Sequence, residues 1–226
     1  MSYEGTIVVE GVEYGSRLPR GRHGIPQALV IENQRDRLLD SATMIFAQRG
    51  FASLAVANVI EQAGVSRGTF YEIFDNKFDC LLAAQQRAFD RLHEVIVSAC
   101  SAEEEWPRGV AAGVAAGLDF VAEFRDDARL ILASSHPSSE PQLASDGISA
   151  NDWLAELLRD GSRHCPDARS PSDLTEQAAV GAAISIVGSC LTSKRVGPMP
   201  ELTSALVQII LTPYLGGDEA KRALRG

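Results

Sequence analysis

From Glu32 onward, apolar residues return along the chain at intervals of three and four. In the first such stretch they fall at Leu38, Leu39, Ala42, Ile45 and Phe46, which predicts an amphipathic helix over Glu32 to Arg49, closed by Gly50. Val56 to Ala63 predicts a second, short helix stopped by Gly64, and Ser66 opens a third that runs to Phe74. Asn76 caps a fourth, long helix reaching about Ala99. Helical patterns then recur in Trp106 to Phe124, Asp127 to Ser134, Asn151 to Arg163, Ser172 to Lys194 and Glu201 to Tyr214. The proline-bearing stretches HPSSEPQLASDGIS and CPDARSPS between them read as loops. No segment alternates as a half-buried strand would, and there is no internal repeat. The pattern predicts an all-α protein.

Before Glu32 the pattern changes. Gly, Pro and Arg are frequent there and no periodicity is sustained; only Thr6 to Val9 has strand character. Met1 to Ile31 is expected to be a flexible arm. Its stretch RLPRGRHGIP, Arg17 to Pro26, holds three arginines and a histidine in a chain whose net charge is −9. An acidic whole argues against indiscriminate coating of nucleic acid, so any such contact has to come from a local basic patch of this kind.

Composition narrows the class. Apolar residues at 45% and charged residues at 23% are those of a globular protein that buries a core. Cys80, Cys100, Cys165 and Cys190 are widely separated, without metal-ligand spacing, and read as reduced thiols in a cytoplasmic protein. The first residues carry acids where an export signal needs bases. Ala178 to Leu191, the longest near-apolar stretch, falls short of the roughly 18 to 20 residues that span a bilayer and is expected to be a buried helix, so no membrane is implied. No His-Glu-x-x-His, Gly-x-Ser-x-Gly, P-loop or dinucleotide-binding glycine pattern is present, and His23, His93, His136 and His164 have no carboxylate or thiol set at ligand spacing beyond the adjacent His164-Cys165. Neither catalysis nor a cofactor is expected.

The informative stretch is NVIEQAGVSRGTFYEIFDNKFDCLL, Asn58 to Leu82. It sets two short helices about the turn Ala63-Gly64-Val65-Ser66, the spacing of a helix-turn-helix. Ser66 is placed to cap the third helix by accepting an N–H from Gly68 or Thr69. Gly68 weakens a helix, and close approach of a DNA backbone would give it a reason. Phe70 and Phe74 form the apolar face, while Arg67 and Thr69 occupy the first turn, the part that enters the major groove in such motifs. Tyr71 and Lys77 are placed to meet phosphates. Taken singly, each residue is an ordinary surface or core side chain; their joint spacing carries the reading.

The residues Phe46-Ala-Gln-Arg-Gly-Phe51, Ala63-Gly-Val-Ser-Arg-Gly-Thr-Phe-Tyr71, Phe74 and Asn76-Lys77 closely resemble the DNA-binding domain of the TetR family of bacterial transcriptional regulators. The resemblance implies a homodimer that binds a palindromic operator, usually represses, and lets go when a small molecule enters a C-terminal pocket. It gives DNA contacts to Ser66, Arg67, Gly68, Thr69, Tyr71 and Lys77 and adds Glu72 and Ile73 as positions facing bases. Three positions depart from the family's habit: Ala55 where a hydroxyl residue is usual, Ile60 where a small one is, and Ile73 where a polar one is common. Ile73 offers a base only apolar contact, for instance to a thymine methyl.

The expected organisation is thus an arm at 1–31, a helix-turn-helix domain at 32–79 with its recognition helix at about 66–74, and a helical ligand-binding and dimerisation domain at 80–226. Ala178, Ala179, Gly181, Ala182, Ala183 and Gly188 would let helices 172–194 and 201–214 approach other helices closely; the resemblance implies that these two helices form the dimer interface, and the alternative is that the small residues face helices of the same subunit. Phe89, His93, Phe120, Phe124 and Trp153 are the candidate pocket residues, with ordinary core as the alternative for each, and their character favours an apolar or aromatic effector. Arg20-Gly-Arg22 resembles the core of an AT-hook, in which guanidinium groups turn into a narrow minor groove; the alternative is a solvated arm making loose phosphate contacts. A helical protein-interaction module and an activator that takes no ligand are the competing functions.

Overall fold

A computed structural model of the protein describes residues 7–9, 12–14, 26–133, 149–192 and 199–223. Ten α-helices are found among them: α1 (Gln27–Arg49), α2 (Val56–Ala63), α3 (Arg67–Ile73), α4 (Lys77–Ser101), α5 (Trp106–Glu123), α6 (Arg125–Ala133), α7 (Ala150–Ser162), α8 (Asp173–Thr192), α9 (Met199–Leu215) and α10 (Gly217–Arg222). A 3-10 turn, Phe51–Ser53, joins α1 to α2. Two short strands, β1 (Ile7–Val9) and β2 (Val12–Tyr14), pair antiparallel with Ile7 opposite Tyr14 and Val9 opposite Val12. The helical class holds, and the hairpin is an addition to it within the stretch expected to be an arm.

Helix α1 begins at Gln27, five residues ahead of the expected Glu32. Pro26 precedes it with a φ of −55°, already near the helical value, so the ring prepares the chain for the first turn. Residues 27–31 are exposed or half-buried and therefore contribute no apolar period to read.

The chain divides into two compact units, residues 1–84 and 85–226, with α4 contributing to both. In the first unit, Leu38, Leu39, Ala42 and Ile45 of α1 are buried together with Leu54, Val59, Phe70 and Leu81. Helix α1 packs on α2 and α3.

In the second unit, the core runs through Phe89, Leu118, Ile131, Val180, Val207 and Leu211. Helix α9 packs on α5, α8 and α10. One polar cluster lies inside it. Glu176 of α8, only 3% exposed, accepts two bonds from Arg159 of α7, at 2.9 Å from Nε and 2.6 Å from Nη2. Its other oxygen accepts the Tyr214 hydroxyl of α9 at 3.0 Å. The carboxylate is buried with charge-assisted partners on both oxygens, the condition under which a buried acid is tolerated. Burial first, and then the bond to Glu176, push the Tyr214 phenol above its ordinary range.

Helix α8 departs from expectation. Read from sequence as a buried helix too short to span a bilayer, it is long and apolar enough to cross one over Asp173–Leu191 by length and composition, and 28% of its most apolar window is buried within the chain. Leu174 stands 77% exposed, and Gln177, Ala178, Ala182, Ser185 and Ser189 continue the open face at helical spacing. Apolarity along a sequence says that a helix needs covering, not that its own chain supplies the cover.

Candidate functional site

The helix-turn-helix is built as its local chemistry dictates. Gly64 adopts φ 65° and ψ 38°, the left-handed region that glycine enters freely, and its N–H and that of Val65 close α2 on the Glu61 and Ile60 carbonyls at 3.2 and 3.1 Å. The Arg37 guanidinium reaches over from α1 and donates to the carbonyls of Ala63 and, at 2.9 Å, Gly64, satisfying the end of α2. Arg37 went unnoticed in the sequence because its polar position on α1 carries no motif.

Ser66 caps α3. Its Oγ accepts the Thr69 N–H at 3.0 Å and lies 2.8 Å from the Thr69 hydroxyl. Asn76 caps α4 in the same manner: its Oδ1 accepts the N–H groups of Phe78 at 2.8 Å and Asp79 at 3.1 Å, and its Nδ2 donates to the Asp79 carboxylate at 2.9 Å.

The two faces of α3 separate cleanly. Phe70 and Phe74 point inward with ring centroids 5.9 Å apart. Ser66, Arg67, Gly68, Tyr71 and Glu72 are exposed, and Thr69, Ile73 and Lys77 are half-buried. Tyr71, 48% exposed, is steadied edge-on against Phe70 at 5.4 Å, and the Arg67 guanidinium lies 5.7 Å from its ring centroid. An arginine and a phenol are thereby held side by side on one outward surface. The Lys77 ammonium sits 4.4 Å from the Phe51 ring centroid, a contact that restrains it at the start of α4. A Cβ at Gly68 would meet only the Ser66 Oγ, at 3.6 Å, so the chain's own packing does not require glycine there. Arg20 and Arg22 lie outside the described residues.

The second unit holds a cavity of about 490 Å³, within the range of small-molecule sites. Helices α4 to α9 all contribute to its wall, among them Ile96, Phe120, Ile131, Leu158, Val187 and Ile210. Of the five aromatic and histidine candidates, Phe120 lines it. Phe124 stacks behind Phe120 at 5.1 Å. Phe89, His93 and Trp153 pack on one another instead, at 5.2 Å for Phe89 to Trp153 and 5.1 Å for His93 to Trp153, and do not line the cavity. Large rings fill space, whereas small residues let helices close on one another. Along α5, Gly109, Gly113 and Gly117 line it at every fourth position. A Cβ at Gly113 would lie 2.6 Å from the Cys100 Sγ, and one at Gly109 2.9 Å from the Cys100 carbonyl, so these glycines permit the close approach of α4 to α5. Burial pushes the Cys100 thiol up, against a smaller opposing effect from a hydrogen bond with the Gly113 backbone.

Residues 38–84 match the model of the TetR family of bacterial regulatory proteins. Over 146 residues the chain is 28% identical to the HTH-type transcriptional activator FasR of Mycolicibacterium smegmatis, an alignment covering 65% of this chain and 66%, just under two thirds, of that relative. Among solved structures, a TetR family transcription regulator from Marinobacter aquaeolei VT8 superposes with a TM-score of 0.66 at 18% identity, over 83% of this chain and 99% of that one. The fatty acid degradation regulator FadR from Bacillus halodurans gives 0.64 at 20% identity, over 79% and 94%. At these identities the structural likeness speaks for the fold.

Proposed function

On the match of residues 38–84 to the model of the TetR family of bacterial regulatory proteins, we propose that the chain is a member of that family and a homodimeric transcriptional repressor released from a palindromic operator by a small molecule. The observation that carries DNA reading is the outward face of α3, where Arg67, Gly68, Tyr71 and Glu72 are exposed behind a capped N-terminus and a buried Phe70–Phe74 ridge. A helix of this kind enters the major groove by its first turns. Arg67 reads a base edge, Tyr71 and Lys77 position the domain on phosphates, and Thr69, Glu72 and Ile73 complete the base-facing surface.

The open face of α8 supports dimerisation. Symmetric dimers are the commonest oligomers, and a two-fold protein matches a two-fold operator with half-sites about one helical turn apart. The cavity of the second unit supports a small-molecule effector, of mostly apolar character. Arg20 and Arg22 extend the footprint into the neighbouring minor groove.

FasR is named an activator, and that likeness favours activation as a second reading. Selection of bound genomic fragments in vitro, followed by mapping against promoters, tests both. A palindrome overlapping a promoter supports repression, one lying upstream supports activation, and no saturable, salt-sensitive binding to any fragment removes the DNA-binding reading and leaves a protein-interaction module.

A further inference from the structure

Among the described residues, the cavity of the second unit is lined mostly by apolar side chains, and its charged lining is confined to two short segments. One is the end of α4 and the turn after it, with Ser101, Glu103 and Glu104; the other is the end of α7, with Asp160 and His164. The two lie together, for Trp106 at the start of α5 packs its indole edge against Gly161, where an added Cβ would overlap it. The polar groups therefore form one rim.

The chemistry of the rim is uniform. Three of its side chains are carboxylates. The His164 Nδ1 donates to the Asp160 carbonyl at 3.0 Å, which turns that nitrogen away from a ligand. The C-terminal ends of the α4 and α7 dipoles add negative partial charge. Two arginines stand nearby, and both already face acids: Arg163 holds Asp160 at 2.7 Å and Arg108 faces Glu105 at 3.9 Å. Neither lines the cavity, and no Lys or Arg does among the described residues.

From this we infer that the cavity takes an amphiphile with an apolar tail and a cationic, hydrogen-bond-donating head, a long-chain amine in its simplest form, with the head at Glu103, Glu104 and Asp160. An anionic head would meet three carboxylates, of which only Asp160 has a cation beside it, in Arg163, and like-charge repulsion at this exposed rim disfavours it. An uncharged head loses only the ionic contribution. The inference rests on the reading of this cavity as the effector site and narrows the effector's class.

Three probes with one dodecyl tail test it: dodecylamine, dodecanol and dodecanoate, titrated calorimetrically into the full chain at pH 7.5, each below its critical micelle concentration. The amine is expected to bind about five- to tenfold more tightly than the alcohol, the magnitude of a few partly exposed ion pairs, and the carboxylate more weakly than both. Combining Glu103→Gln, Glu104→Gln and Asp160→Asn should bring the amine down to the alcohol's affinity and leave the alcohol unchanged. That contrast separates the rim from general attraction to an acidic protein, since most of its 30 acids remain. Val114→Trp, which fills the cavity from α5, should abolish binding of all three. Equal affinities, or tightest binding of dodecanoate, overturn the ligand class and leave the cavity standing as the site; no binding of any probe overturns the cavity reading together with the inference.

Discussion

Gly68 is a residue whose cost inside the chain is plain and whose benefit lies outside it. It is the second residue of a seven-residue helix, and a Cβ there would meet nothing closer than ordinary van der Waals contact. Gly68→Ala is expected to stabilise the protein by up to about 1 kcal/mol, because glycine is the poorer helix former and gives the unfolded chain more freedom. The same change should weaken operator binding if, as proposed, a DNA backbone passes close to this position. Urea unfolding and an operator titration of one variant read the two effects separately; unchanged operator affinity would mean that nothing approaches Gly68.

Tyr214 offers a pH test of the buried cluster. The folded protein holds its phenol protonated above the ordinary value of about 10. Once the pH passes that value, the unfolded chain releases the proton and the folded chain keeps it, so stability must fall as pH rises. The contribution is fully present below pH 10. Urea midpoints should therefore decline above pH 10 in the parent and more gently in Tyr214→Phe. Parallel curves would contradict the arrangement around Glu176.

Among elements, α3 and α8 show what a sequence can and cannot disclose. Everything that forms α3 is local: Gly64 for the turn, Ser66 for the cap, Phe70 and Phe74 for one face, and all of it was readable before any coordinates. The cap partner proved to be Thr69, and the helix ended one residue before Phe74. The start of α1 was hidden because Gln27 to Ile31 buries too little to show a period. The cavity was hidden more deeply. Its wall comes from six helices, and aromatic side chains, the obvious candidates, mostly fill space beside it, while Gly109, Gly113 and Gly117 line it and let α4 close against α5. Glycines in a helix announce weakness in a sequence; only packing shows what they admit.

Helix α8 carries its own prediction. Its open face of Ala178, Ala182 and Ser185 lets another helix approach closely, and the exposed Leu174 extends that face. Placing charges there, as Ala178→Glu with Ala182→Glu, should convert a dimer into monomers on sedimentation while leaving the helical content unaltered, because neither side chain is buried within the chain. A dimer that survives both changes would place the interface elsewhere.

For the molecule as a whole, charge is distributed in a way that suits its proposed task. A net charge of −9 keeps most of the surface from nucleic acid, while Arg67 and the arginines of the N-terminal decamer supply local positive charge. If Arg20 and Arg22 meet phosphates, the double change to alanine lowers the slope of log affinity against log salt by up to about 2. An unaltered slope retires the arm as a contact.

The central claim is that the outward face of α3 reads a specific operator, and Arg67 tests it most directly. The measurement is the affinity of Arg67→Ala for the selected operator and for scrambled DNA of the same length and salt. Loss of a base contact predicts that operator binding weakens by about 1–3 kcal/mol while scrambled DNA is bound nearly as before, so that discrimination collapses. A variant that keeps the parent's ratio of specific to scrambled affinity would contradict the account.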